Sequence, residues 1–250
     1  MLVHPDAELV RADTGFIFRL GLIAQDRIGN MWGLTARHVF EGTDKAEILT
    51  PSGEAFGTYY ADDNQPIPGA SDPTNQIVRF PIADDLIRPD QIRYDVIWPR
   101  EPAERGQLLG MAVISTESKD RPIGTIVEVG SLARVELQRG KEPSILSGVI
   151  VLCLEDNSLV RTGLAGTLVL LETAEAVGLG IAMQSSDHNF EIVVCPVDQY
   201  LKHFDLHLWA PPGAHWTDLP QRVALFLRNA RSDPGPDLGR RPEAVLRESR

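Results

Sequence analysis

The chain has little of what disulfide-stabilised, nucleic-acid-binding or membrane-spanning proteins need. Its 250 residues include two cysteines, Cys153 and Cys195, both in apolar runs, which favours buried free thiols over a disulfide framework. The chain has 24 Lys and Arg but 35 Asp and Glu, and the resulting formal charge of −11 provides no basic surface for nucleic acid or anionic lipid. No apolar run reaches the roughly 18 residues of a membrane-spanning helix. We therefore expect neither nucleic acid nor a membrane as partner.

The N-terminal sequence M-L-V-H-P-D-A-E-L-V also lacks the basic segment followed by an apolar segment that marks a signal peptide. Together with the low cysteine content, this predicts a cytoplasmic protein in a reducing compartment.

Most of the chain consists of short runs rich in aromatic and β-branched residues, separated by turn signals. Such a pattern with few helical periods is typical of all-β sandwiches and barrels. The predicted strands lie at residues 15–23, 31–36, 46–50, 54–60, 76–81, 94–98, 108–115, 125–138, 149–154, 166–171, 177–183 and 190–195.

Helical spacing is found only near the C-terminus. Apolar residues fall on one helix face at Val197, Tyr200, Leu201, Phe204 and Leu208, and a second helical pattern covers residues 219–230. Residues 231–250 are rich in Pro, Gly, Arg and Asp, which predicts a flexible tail or linker.

A glycine-containing turn at residues 162–169, T-G-L-A-G-T-L-V, separates two apolar runs. Glycine permits backbone conformations and close approaches that a β-carbon would block. In serine hydrolases a turn of this kind carries the nucleophile and aims backbone N–H groups at one point, the oxyanion hole. Ala165 stands where that serine would be, between Gly163 and Gly166. Taken alone, the turn is equally consistent with an ordinary hairpin.

Two earlier segments contain the other residue types of a serine-hydrolase site, first a histidine and then an aspartate. His38 follows the strand pattern L-T-A-R, and Asp95 opens the apolar strand Y-D-V-I-W. His38 and Asp95 are 57 positions apart, and Asp95 and Ala165 are 70 positions apart.

In this order and spacing the three segments resemble the chymotrypsin/trypsin-like serine peptidases, in particular the bacterial forms without disulfides. The resemblance covers about residues 12–208, beginning with the T-G-F at residues 14–16. It implies two packed six-stranded antiparallel β-barrels with C-terminal helices and a site in the cleft between the barrels. The corresponding boundaries are residues 1–100 for the N-terminal barrel, 101–208 for the C-terminal barrel with its closing helix, 209–230 for an accessory helix and 231–250 for the tail.

The resemblance also implies a role for each residue of the site. His38 would be the general base and acid, and Asp95 would accept a hydrogen bond from its imidazole and fix its tautomer. The backbone N–H groups of Gly163 and Ala165 would form the oxyanion hole. Leu159 would lie at the base of the primary specificity pocket, which favours a small or medium apolar substrate residue. A substrate peptide would pair, by β-addition, with the strand segment Ile181, Ala182, Met183 and Gln184.

The main departure from the family is Ala165, because without a hydroxyl no covalent acyl transfer can occur at this turn. Either the chain is a natural pseudoprotease that binds a peptide or protein without cleaving it, or a serine has been replaced by alanine. Among other serines, Ser147 precedes a glycine and a strand but lacks the glycine two positions before it, and Ser131 and Ser158 match the pattern of a nucleophile turn less well. The chain is thus predicted to be a serine endopeptidase domain that is inactive as it stands.

No cofactor and no metal are predicted. His203 and His207 stand four apart, a spacing that can bind zinc on a helix, but a third ligand is missing. Leu164 replaces the aspartate that precedes the serine in secreted trypsins, which argues against activation by N-terminal cleavage. The expected partners are a protein or peptide substrate and a regulatory protein that docks on the C-terminal helix and tail.

Overall fold

Antiparallel β-strands make up nearly all the regular structure of the residues that the structure describes. The computed structural model describes residues 7–69, 74–83, 86, 106–114, 122–137, 140–155, 165–171, 175–186 and 189–208, all within one unit, Met1–Ala214. The strands of the first half are β1 (Glu8–Arg11), β2 (Ile17–Arg19), β3 (Leu22–Gln25), β4 (Met31–Ala36), β5 (Lys45–Leu49), β6 (Ala55–Tyr60) and β7 (Ile77–Pro81). Those of the second half are β8 (Ala112–Ile114), β9 (Gly124–Val135), β10 (Ser144–Leu154), β11 (Leu168–Leu171), β12 (Ala176–Ser186) and β13 (Asn189–Pro196), followed by helix α1 (Asp198–His203) and β14 (His207–Leu208).

The seven strands of the first half, together with β14 from the end of the second half, form two four-stranded sheets in the orders β2-β1-β5-β6 and β14-β3-β4-β7. Only Leu20 and Gly21 separate β2 from β3, so the two act as one bent strand shared by both sheets. A bridge between Gly57 and Ile82 joins the sheets again on the other side. Counted in this way, the described residues of the first half form six strands; one of them, β1, was not predicted, and the predicted strand at 94–98 lies outside the described residues.

The second half is a closed six-stranded barrel in the order β10-β13-β12-β11-β8-β9. Every pairing in it is antiparallel. The predicted all-β class with two packed antiparallel units is therefore confirmed.

Two apolar clusters occupy the interiors, because alternating residues of each strand point inward. One lies inside the closed barrel around Val113, Leu152 and Val194, which are fully buried. The larger one fills the first half and continues onto the outer face of the barrel through Leu168 and Leu179. This continuity packs the two halves against each other, and the site lies along that junction.

The C-terminal helix is shorter than its apolar spacing predicted. It ends at His203, and Asp205 adopts a left-handed conformation with φ 52° that turns the chain. Leu206 and Leu208 are buried, but Leu208 lies on β14, where it pairs with Ala24 of β3. The spacing of Leu208 predicted one more helical turn, but this residue is buried because it lies on a strand.

Several predictions fall outside the described residues, among them the strand at 94–98, the accessory helix at 209–230 and the tail at 231–250. Both cysteines are free thiols, with Cys195 buried and Cys153 partly exposed. Among the described helices, none combines the length and apolar character required to cross a bilayer.

Candidate active site

His38 lies on a short 3₁₀ helix, Arg37–Phe40, that follows β4 directly. The helix has no side-chain cap, and so short a helix has little stability of its own. It is anchored instead by Val39 and Phe40, which are almost completely buried. The Phe40 ring stacks on Tyr59 with centroids 4.2 Å apart and meets Phe18 edge-on at 5.4 Å. The hydrophobic core therefore fixes the segment that carries His38.

The imidazole of His38 is mostly shielded from water. Burial lowers its pKa to about 4, an effect that the nearby Glu41 carboxylate opposes in part. The ring is therefore neutral at pH 7, the state that a general base requires. Its Nδ1 atom is buried and has no hydrogen-bond partner among the residues that the structure describes. A buried polar nitrogen normally has a partner, so Nδ1 marks a place for one.

The turn at Ala165 and Gly166 is hydrogen-bonded to both halves of the protein. The Arg19 N–H at the end of β2 donates to the Ala165 carbonyl at 2.9 Å. The Gly166 N–H donates to the Gly180 carbonyl of β12 at 2.8 Å, and the Gly180 N–H returns a bond of 2.8 Å to Thr167. These bonds hold the turn at the junction between the first sheets and the barrel.

Only glycine fits at position 166. Its φ of +90° is a left-handed conformation that other residues rarely adopt, and a β-carbon would collide with Thr35 Oγ1 and the Arg19 carbonyl. Gly21 shows the same close packing, since a β-carbon there would collide with Leu179 and with the Gly166 carbonyl. At Gly21 and Gly166 the first and second halves thus approach too closely to admit a β-carbon.

Thr35 connects this junction to His38. Its hydroxyl donates a buried hydrogen bond of 2.7 Å to the Arg19 carbonyl, and it lies three residues before His38 near the end of β4. The strand that delivers His38 and the turn that carries Ala165 therefore share Arg19 as a common contact. The structure brings these two predicted site segments to the same junction.

A cavity of about 210 Å³ opens beside His38. One wall consists of Arg37, Glu41 and Gln76, and the opposite wall belongs to the connection between β9 and β10, where Lys141 reaches Glu41 at 3.4 Å. The cavity carries two cationic and two carboxylate side chains, the fourth being Glu142. Its lining combines polar and apolar surface, the latter including Leu137, and its charged side chains balance.

The predicted peptide-binding residues lie on β12, next to the turn. Ile181 and Ala182 are buried, whereas Met183 and Gln184 are partly exposed. β12 pairs with β11 only up to Leu179, while its pairing with β13 continues to Ser186. In the described part of the chain, residues 181–186 therefore have strand pairing on one side only.

Three predicted site residues, Asp95, Leu159 and Gly163, lie outside the described residues, as does the alternative Ser158. Ser131 and Ser147 belong to β9 and β10, where Ser147 is exposed opposite Leu132. Each adjoins a glycine of positive φ, Gly130 or Gly148, but both lie within strands, and neither lies in a turn that connects two strands.

The two histidines considered for zinc do not share a helix, because His203 ends α1 and His207 lies on β14. The described residues contain no group of three His, Cys, Asp or Glu side chains that could hold a metal ion.

Sequence reasoning missed the residues that connect the site, namely Arg19, Thr35 and Arg37. Their contacts are made between segments far apart in the chain, and no local pattern reveals them. Thr35 and Arg37 do lie within the L-T-A-R-H segment, but their roles depend on β2 and on the loops near Asn64 and Asn75.

No protein-family model matches the chain, and no curated protein matches its sequence. Solved structures do. A glutamic-acid-specific serine protease matches with a TM-score of 0.57 at 15% identity, covering 83% of this chain and 100% of that one. Thermobifida fusca protease A matches with a TM-score of 0.55 at 16% identity, covering 84% of this chain and 100% of that one. Cellulomonas bogoriensis chymotrypsin gives 0.54 at 17% identity, with 84% and 100% covered.

At these identities the likeness concerns the fold alone, and it agrees with the antiparallel sheets and the closed barrel described above. The chain has the double β-barrel fold of the bacterial chymotrypsin/trypsin-like serine proteases, as its motifs predicted.

Proposed function

We propose that the chain is a trypsin-like serine endopeptidase domain that cleaves a protein partner through His38, Asp95 and a serine, and that it is inactive as it stands because Ala165 occupies the nucleophile position. The observation that carries this proposal is the shared junction at Arg19, where the Ala165 turn and the strand leading to His38 meet. A nucleophile and its base must approach within hydrogen-bond reach, and this junction is where they would do so.

The state of His38 supports its role as general base. A neutral, shielded imidazole can take a proton from a serine hydroxyl. In this proposal the Asp95 carboxylate accepts the hydrogen bond of the buried Nδ1–H, which orients the ring and stabilises the imidazolium that forms. The unpartnered Nδ1 atom is the feature that favours such a carboxylate.

The peptide would bind along β12. Residues 181–186 have strand pairing on one side only in the described part of the chain, and they begin one residue after Gly180, which contacts the turn. An extended peptide that adds to this edge would direct its backbone past Ala165. The N–H groups of Ala165 and Gly163 would then act as the oxyanion hole.

Restoring the hydroxyl tests the proposal. Ala165→Ser should label with a fluorophosphonate probe and hydrolyse peptides, whereas the parent chain should do neither. His38→Ala in the Ala165→Ser background should abolish labelling and lower kcat by about 10⁶-fold. Ser147→Ala in the same background is the matched control and should leave labelling unchanged, since Ser147 is exposed on β10.

The alternative is a natural pseudoprotease whose remaining machinery no longer supports catalysis. It is favoured if a folded Ala165→Ser variant stays unreactive while the chain still binds extended peptides. We further propose that a regulatory protein binds residues 209–250. A form that lacks residues 216–250 should then associate with another chain or domain more weakly than the full chain does.

A further inference from the structure

Arg37, the residue before His38, uses its guanidinium on main-chain carbonyls. Its Nη2 donates to the Asn64 carbonyl at 2.9 Å and its Nε donates to the Asn75 carbonyl. No carboxylate in the described part of the chain forms an ion pair with it. A guanidinium presents several donors in a rigid plane, so one side chain can fasten two loops at once.

The first of these carbonyls belongs to a residue that is itself held firmly. Asn64 is 2% exposed, and its side-chain amide donates to the carbonyls of Tyr60 at 2.9 Å and Arg79 at 2.8 Å. Its Oδ1 accepts the Arg79 N–H at 2.7 Å and the Tyr200 hydroxyl of α1 at 3.4 Å. The Asn64 amide thus donates two hydrogen bonds and accepts two, and it connects its own loop to helix α1.

The second carbonyl is also connected to α1. Asn75 lies in the 3₁₀ segment Thr74–Gln76, and the Thr74 hydroxyl donates to Gln199 Oε1 of α1 at 3.0 Å. The Asn75 side chain accepts the Ile67 N–H at 2.8 Å, which fixes the segment from the other side. Both anchors of Arg37 therefore lead to adjacent residues of one helix.

The other end of the His38 segment is held in the same manner. Arg11 of β1 donates through Nη1 to the Val39 carbonyl at 2.9 Å, in a buried position. Asp13 fixes this guanidinium with two bonds of 2.7 Å. His38 thus lies between two residues whose positions are set by guanidinium–carbonyl bonds.

We propose that Arg37 is a positioning residue for His38 and that helix α1 holds it in place through Asn64 and Asn75. This inference rests on the proposed role of His38 as the general base. The isolated 3₁₀ turn is too short to define the imidazole, and a displacement of about 1 Å at a catalytic group can cost about 100-fold in rate. Val39 and Phe40 anchor the segment after His38, and Arg37 with its two carbonyls anchors it before His38.

The experiment uses three variants, each made in the parent chain and in the Ala165→Ser background. Arg37→Ala removes both bonds, and Arg37→Lys keeps the charge but cannot span two carbonyls. Arg79→Ala is the matched control, because Arg79 is an equally half-buried arginine that stacks on Trp32 at 4.4 Å and Phe204 at 4.0 Å. Its guanidinium has no described hydrogen bond to residues 37–40.

In the Ala165→Ser background, Arg37→Ala should lower kcat by about 10- to 100-fold with KM changed less than about threefold. Arg37→Lys should recover part of the loss, and Arg79→Ala should lower Tm while leaving kcat within about twofold. Equal effects of Arg37→Ala and Arg79→Ala on kcat would overturn the proposal, since they would report lost stability alone. If Arg37→Ala does not fold, the effect of Arg37→Lys on kcat is compared with that of Arg79→Ala instead, and equal effects would again overturn the proposal.

A second measurement does not depend on catalysis. In the parent chain, the ring resonances of His38 should move toward those of a solvent-exposed imidazole in Arg37→Ala, and amides 38–41 should exchange faster. Arg79→Ala should change neither. Unchanged ring resonances in Arg37→Ala would refute the positioning role even if Ala165→Ser is active. Conversely, an inactive Ala165→Ser chain with shifted resonances would refute the proposed function and leave the positioning role standing.

Discussion

The main-chain N–H of Arg19 donates a hydrogen bond of 2.9 Å to the carbonyl of Ala165, and it is the direct link between the first sheets and the candidate nucleophile turn. The Arg19 carbonyl is used as well, since it accepts the Thr35 hydroxyl at 2.7 Å. Because both main-chain polar groups of Arg19 face the junction, the turn and the His38 strand cannot separate without leaving buried groups unpaired. The contact requires glycine at position 166.

Gly166→Ala should therefore be strongly destabilising. It adds left-handed strain at φ +90° and a collision with Thr35 Oγ1 and the Arg19 carbonyl. Strain alone costs about 1–2 kcal/mol, and overpacking adds about 1–3 kcal/mol. Chemical denaturation of the parent and the variant measures the sum.

Gly29→Ala separates the two contributions. Gly29 has nearly the same φ, +95°, but a β-carbon there would meet only Gln25 Nε2, at 3.7 Å. It should show the strain without the collision. Equal losses for the two variants would contradict the close packing inferred at the junction.

The segments that carry His38 and Ala165 could be identified from sequence because each is a local pattern, an apolar strand followed by a catalytic residue type or a glycine turn. The strand-rich class followed for the same reason. Arg19 could not be identified, since its significance comes entirely from two partners, Thr35 and Ala165, that lie far along the chain. Arg37 likewise looks like an ordinary charged residue until its carbonyl partners are known.

Strand β1 was not predicted for a related reason. Its sequence E-L-V-R ends in Arg11, which reads as a solvent-facing residue, yet Arg11 is 9% exposed because Asp13 and the Val39 carbonyl satisfy its guanidinium. A charged residue that is buried with its partners breaks the apolar alternation on which a strand prediction depends.

Asn64→Ala should cost about 2–4 kcal/mol, because it orphans the Tyr60 and Arg79 carbonyls and the Arg79 N–H in a buried site. Gln65→Ala is the control, since the exposed Gln65 donates only one bond of 3.3 Å to Ala61 and its loss should stay within about 0.5 kcal/mol. Urea titrations compare the two. If the two variants lose similar free energies of unfolding, the hydrogen bonds of Asn64 stabilise the fold no more than the exposed hydrogen bond of Gln65 does.

Cys195 should resist thiol reagents in the folded protein. It is completely buried, and burial raises the pKa of its thiol, so the reactive thiolate is scarce. Cys153 is partly exposed and provides the internal comparison. Mass spectrometry after brief alkylation should find modification at Cys153 before Cys195, and both in urea. Rapid native modification of Cys195 would show that β13 opens readily.

The pH dependence of stability can reveal whether Asp95 pairs with His38. The described surroundings lower the pKa of the folded imidazole to about 4, chiefly through burial, against about 6.5 in the unfolded chain. The unfolded state then binds the extra proton between these values, so stability is full above about pH 6.5 and falls by up to about 1.4 kcal/mol per pH unit toward pH 4. A carboxylate at Nδ1 raises the pKa of the folded imidazole and makes stability fall less steeply with decreasing pH.

We therefore expect the free energy of unfolding to fall more steeply in Asp95→Asn than in the parent when urea titrations are repeated between about pH 4.5 and 7. In His38→Gln the imidazole contributes no such fall. Other carboxylates contribute equally to the three chains and cancel in the differences. Parallel curves for the parent and Asp95→Asn would mean that Asp95 does not interact with His38, and the triad proposal would lose its third member.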